Sequence, residues 1–299
     1  MKARISNANG ARKERNPTIA QVTPPRSIRE SNPSSEEPRA AFTLTELCVV
    51  IACIAVLATL VLPALATSKI QSASAGCLYN LRHLMVGWEM YRTENRDYLM
   101  PNAVLGLPNN QSWCGGSSES WGAANANTNP VPYTSSLMWP YVNNNLSVYR
   151  CPGDVVPSTN GTRIRSYSMN SQVGHSLGGP DPFPNYDGAR TYGRGSDIVS
   201  PIPANLFVFA DESPCSLNDG YLQVNNAYSS GVVTFPDVPA CYLEGGCGLS
   251  FADGHGEIHH WQTPVLRVRV QFGFTINNLL AGRQNADWIW FTEHAASSK

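Results

Sequence analysis

The sequence predicts an α+β fold: one long N-terminal helix, membrane-spanning at first and amphipathic after, packed on an antiparallel β-sheet with long loops. Three observations predict it. Leu47 to Ala66 is a run of 20 residues without a charge. Soon after it, Cys77, Leu78, Leu81, Leu84, Met85, Trp88 and Tyr91 recur at spacings of three and four, which marks one apolar helix face. Beyond Pro101, short runs of β-branched and aromatic residues alternate with stretches of Gly, Asn, Ser and Pro, the pattern of strands and turns.

Composition narrows the function classes. Of 299 residues, 42% are hydrophobic and 14% charged, and the net charge is −1. A nucleic-acid binder carries a basic excess that is lacking here, and a chain this apolar has the means to build a core.

The elements follow in order. Residues 1–41 hold eight basic side chains against four acidic ones, several prolines and no apolar periodicity; they read as a disordered basic leader, kept in the cytoplasm by the positive-inside rule. Residues 42–66 form the membrane-spanning part of the helix. At ~1.5 Å per residue the uncharged run reaches ~30 Å, enough to cross a bilayer core. It exceeds the apolar core of about 7–15 residues in a cleaved secretory signal, so it is expected to stay in the membrane. Residues 67–97 continue the helix as an amphipathic segment, with Asn95 and Pro101 marking its end. Residues 98–299 form an extracytoplasmic β-rich domain.

Within that domain, residues 101–134 and about 178–197 read as long loops. Strands are expected around Ser166–Asn170, Leu206–Ala210, Gly231–Phe235 and Leu249–Ala252, with Asp253-Gly254 as a two-residue hairpin turn. Leu266, Val268, Val270 and Phe272 alternate with Arg267, Arg269 and Gln271 as in a half-buried strand. Asp287–Phe291 is expected to be a last strand. Beyond the span lie Cys77, Cys114, Cys151, Cys215, Cys241 and Cys247. An even number in an exported domain suggests disulfides, and six cysteines allow 15 pairings.

One residue breaks the logic of the apolar segment. Glu46 is a carboxylate at the edge of hydrocarbon, where an unpaired charge is costly. Nothing else in the segment is able to neutralise it, so a partner from elsewhere is expected.

Phe42-Thr-Leu-Thr-Glu46-Leu, followed by a continuous apolar helix with Pro63, resembles the N-terminus of type IV pilins and type II secretion pseudopilins. The resemblance implies cleavage between Ala41 and Phe42 by prepilin peptidase, methylation of the new Phe42 amine, and a helix kinked or loosened at Pro63. Glu46 becomes the family's fifth-position glutamate, pairing with the N-terminal amine of a neighbouring subunit and setting filament register. Ala41 stands where the family has Gly, and Thr45 where it has Ile or Val. The segments CLYNLRHL, YRCPGD, SYSMN, FADES and SFADGHGEIHHW resemble a planctomycete and verrucomicrobial prepilin-like group with a motif of His, nine residues, then Asp-Gly. Asp253-Gly254 is present, but Leu243 replaces the His.

In His255-Gly-Glu257-Ile-His259-His260 a strand would turn His255, Glu257 and His259 to one side, which permits a surface metal site, though exposed hairpin polars are the commoner reading. Pseudopilins of the resembling family often bind calcium, and Asp211, Asp219 and Asp253 are the oxygen-rich candidates, against the commoner reading of solvated turn acids. Ser230 and Ser250 lack the context of a nucleophile. Trp113, Trp121 and Trp139 suit sugar stacking or cover for the sheet equally.

The resemblance therefore implies a structural subunit and no enzyme. It would be single-pass in the inner membrane, N-terminus cytoplasmic and C-terminal domain outside, and assembled with other pilin-like subunits into a filament or secretion pseudopilus. The alternative is a membrane-anchored extracytoplasmic binding or enzymatic domain reusing a pilin-type signal.

Overall fold

The computed structural model describes residues 42–102, 109–115, 121, 127–174, 188–226 and 232–298. The basic leader, Ala41 and much of the two long loops lie outside them. The chain divides into two units, after Ala55.

The first unit contributes the start of α1, Leu44–Glu94, a helix of 51 residues. Its most apolar 18-residue window has a mean hydropathy of 2.8, and none of that window is buried. The helix runs on through Pro63. The expected end is correct: Asn95 follows the last helical residue.

In the second unit, α1 carries the expected stripe. Cys77, Leu81, Leu84, Met85, Trp88 and Tyr91 are buried, and Arg82, Val86 and Met90 face out. The sheet beneath has five strands in the order β3 (Tyr221–Leu222), β1 (Tyr167–Asn170), β2 (Phe207–Asp211), β5 (Gly246–Phe251) and β6 (Gly256–His260). All pairs are antiparallel except β1–β3. Asp253-Gly254 does make the β5–β6 hairpin: Gly254 sits at φ +94°, in the region that glycine tolerates best. Gly248 serves a different purpose. A Cβ there would lie 2.5 Å from Cys77 Sγ and 3.0 Å from Leu81 Cδ1, so α1 approaches β5 as closely as a bare backbone allows.

Both faces of the sheet are covered. On the α1 side, Leu84, Trp88, Trp113, Tyr133, Tyr149, Met169 and Phe209 share one core. On the other, Phe207, Leu249, Phe251 and Trp261 pack with Trp288 and Phe291 of α3, Ala286–Glu293. Every residue of β1, β2 and β5 is consequently buried, as expected for strands enclosed on two sides. A two-stranded ribbon, β4 (Thr234–Phe235) with β7 (Leu279–Leu280), stands beside this second core.

The expected last strand is corrected: Asp287–Phe291 lies in α3. The Asn285 side chain accepts a hydrogen bond from Trp288 N at 2.9 Å and caps the helix. Helical spacing then buries Trp288 and Phe291 together, whereas a strand would have paired Trp288 with Trp290. Residues 266–272 enter neither sheet. Their alternation of burial is present from Leu266 to Val270, but Arg267 turns back to donate to Trp261 O at 2.7 and 3.0 Å, and among the described residues no strand pairs with them. The expected strand 231–235 is reduced to β4.

Candidate functional site

At the start of α1 the sequence Thr43-Leu-Thr-Glu46 forms a reciprocal cap. Glu46 N donates to Thr43 Oγ1 at 3.3 Å, while Glu46 Oε2 accepts from Thr43 N at 2.8 Å and from Thr43 Oγ1 at 2.7 Å. This is the capping box, a Thr and a Glu three residues apart. Thr43 thus satisfies Glu46 by hydrogen bonding but supplies no positive charge, and the expected neutralising partner from elsewhere is not among the described residues. The T-x-x-E spacing was the signal for the cap. Phe42 is 76% exposed, and Val49, Ile54, Leu57, Leu60 and Leu62 behind it also lie open.

A second site is assembled deep in the folded domain. Asp211 ends β2, Cys77 faces it from α1, and Cys151 comes from the turn Cys151-Pro-Gly-Asp. All three are buried, and their donor atoms lie within 4.8 Å of one another. Cys77 Sγ sits 3.8 Å from Asp211 Oδ2. The Tyr167 hydroxyl shares its proton between Cys77 O at 3.2 Å and Cys77 Sγ at 3.3 Å, and Gly153 N donates to Cys151 Sγ at 3.3 Å. Tyr242 donates to Asp211 Oδ1, and Cys247 Sγ to Asp211 O at 3.1 Å. Burial pushes the Asp211 carboxyl up to about 7, against hydrogen bonds from Tyr242, Cys151 and Ser166 that favour its anion. Burial also raises the Cys151 thiol well above its ordinary value, as does the neighbouring Cys77.

Beside it lies a third group. Glu212 accepts from Ser216 Oγ at 3.0 Å and from Ser168 Oγ, which also accepts from Arg165 Nη1 at 2.6 Å. Asp237 takes Gln223 N at 2.6 Å, and Asp219 takes Tyr221 N at 2.9 Å. Burial pushes Asp237 up to about 8 and raises Glu212, with Asp237 adding to the latter and Arg165 opposing. Acids held in this way brace loops against the sheet.

The structure separates the residues that sequence reasoning grouped. Of the calcium candidates, Asp211 belongs to the cysteine cluster, Asp219 to the Arg165–Glu212 group, and Asp253 to the hairpin turn, where it accepts from His255 N at 3.1 Å and pairs with His255 Nδ1 at 2.6 Å. The histidines likewise have separate partners: His255 stacks on Phe251, and His259 stacks on Trp290 with ring centroids 3.6 Å apart. Trp113 is buried and donates to Gly220 O, and Trp121 is overlain by the Arg163 guanidinium, so both serve the core.

All eight cysteines are free thiols. The even count points to pairing, but it gave no reason to place Cys77, Cys151 and Asp211 together. The available clue was Cys77 on the apolar stripe, with a Cys-Pro-Gly turn later in the chain. Compared with protein-family profiles, curated proteins and solved structures, the chain matches none.

Proposed function

We propose that this chain is a pilin-like structural subunit, anchored in the inner membrane by α1, cut by prepilin peptidase between Ala41 and Phe42, and assembled through the exposed half of α1 with other pilin-like subunits into a filament or secretion pseudopilus. One observation carries the reading. The same helix that is buried against the sheet from Cys77 to Tyr91 leaves its apolar first half exposed among the described residues. Lipid covers such a surface in a lone anchor; neighbouring helices cover it in a filament. Van der Waals packing between apolar helices, with a register-setting charge pair at Glu46, is sufficient to hold such an assembly.

Cys48 and Cys53 supply the test, because both are exposed on that segment. Thiol-specific cross-linking in native membranes is expected to give ladders of the chain that vanish in a Cys48→Ser/Cys53→Ser double variant and fall sharply in Glu46→Ala. Cross-linking limited to monomers would sink the filament reading.

A second reading is favoured by the Thr43 cap. Glu46 already has a hydrogen-bonding role within its own chain, as a plain membrane-anchored extracytoplasmic domain would need. In that case Glu46→Ala would loosen the helix start and leave the protein's associations unchanged.

A further inference from the structure

We propose that Cys77, Cys151 and Asp211 form a buried site for a thiophilic divalent cation of the zinc class. The donor set is two sulfurs and one carboxylate oxygen, brought together from α1, the Cys151-Pro-Gly turn and the end of β2. Among the described residues these are the three metal-ligating side chains whose donor atoms converge, all within 4.8 Å. A tetrahedral centre with bonds of ~2.0–2.3 Å places its donors ~3.5–3.8 Å apart. Cys77 Sγ and Asp211 Oδ2 are already at 3.8 Å, so closing the remaining gaps asks for shifts of about an ångström.

Hydrogen-bond donors already face the ligand atoms. Gly153 N–H and the Tyr167 hydroxyl each donate to a ligand sulfur at 3.3 Å, and Tyr242 donates to the carboxylate. Hydrogen-bond donors around the ligands orient them and stabilise their negative charge. Binding balances as follows: with Asp211 ionised, one dication enters and two thiol protons leave to solvent, so the pocket's net charge does not change; where Asp211 is protonated, its proton leaves to solvent as well. Two sulfur ligands select zinc-class ions over calcium or magnesium. The fourth position is left for water. The site clamps α1 to the central strand β2, beside Gly248 of β5, whose missing Cβ would lie 2.5 Å from Cys77 Sγ.

The test uses the full-length chain in detergent, purified with reductant and stripped by chelator, then titrated with Co2+ and back-titrated with Zn2+. About one equivalent per chain is expected, with a thiolate-to-cobalt charge-transfer band that Zn2+ abolishes. Cys151→Ser should remove the band. Asp211→Asn keeps the shape of the side chain while removing its charge, and is expected to weaken binding at least about 10-fold; Tyr167→Phe should weaken it about 10-fold, as losses around the ligands do. Cys114→Ser, beside Trp113, should behave as the unaltered chain. The proposal is overturned if the folded, reduced chain gives no charge-transfer band, or if the band survives in Cys151→Ser. It is equally overturned if protein isolated from its host carries Cys77 bonded to Cys151.

Discussion

Thr43 and Glu46 show how one pair of residues serves two ends. Their mutual hydrogen bonds close the first turn of α1, and a cap of this type contributes on the order of 1 kcal/mol. Thr43 brings no positive charge, so the proposed amine of another subunit would still be the charge partner of Glu46. The sequence made Glu46 conspicuous through the apolarity around it, but the cap was legible only through the T-x-x-E spacing, which attention to charge passes over. Gly248 is another case, because a glycine in a strand has no signal of its own until something approaches it. With Cys77 Sγ 2.5 Å from the position of its missing Cβ, Gly248→Val must push α1 off β5. We expect a loss of about 1–3 kcal/mol, the usual range for overpacking a filled core, read as a lower Tm of the detergent-solubilised chain. Gly273, with nothing within 4 Å of its own Cβ position, can serve as the comparison only if the replacement also tolerates its φ of +78°, so Gly273→Asn suits it better than valine.

At the scale of elements, the hairpin β5–β6 and helix α3 meet through His259, which stacks on Trp290, itself stacked on His294 at 4.1 Å. Burial lowers the His259 pKa from 6.5 to about 4, with Asp287 opposing and His294 and His260 assisting. A base whose folded pKa is depressed takes up its proton more readily when unfolded. The His259 contribution to stability should therefore be flat above about pH 6.5 and fall by on the order of 1–2 kcal/mol as the pH drops toward about 4, once solvent screening of the half-buried ring is allowed for, while Asp211 and Asp237, raised to about 7 and about 8 by burial, contribute the opposite slope. Denaturation of His259→Asn across that window should lose this part of the slope; an unchanged slope would remove His259 from the account. The hairpin was legible because Asp253-Gly254 has a single strong meaning between apolar runs. Helix α3 was misread because Asp-Trp-Ile-Trp-Phe alternates well enough for a strand, and the deciding cap at Asn285 lies outside that run. Residues 266–270 kept the burial pattern of a strand without a ladder, since periodicity reports which side is wet and not what lies alongside.

For the whole molecule, the long helix was the most legible feature. A run of uncharged residues followed by a three-and-four stripe has few other physical meanings, and α1 spans both. Far less legible was the second core, in which α3 and the segments around β4 and β7 cover the far face of the sheet, because its residues are scattered from Phe207 to Ala295. The cysteine cluster was hidden for the same reason: Cys77, Cys151 and Asp211 are far apart in sequence, and only the approach of α1 to β2 brings them together. The exposed first half of α1 supports the central proposal, that the chain is an anchored subunit matured at Phe42. The most direct test is the intact mass and N-terminal sequence of the protein taken from the membranes of its native host. The account predicts a chain beginning at a methylated Phe42, its amine free to meet Glu46 of a neighbour. A chain that still begins at or near Met1 would leave Glu46 with Thr43 alone and would contradict it.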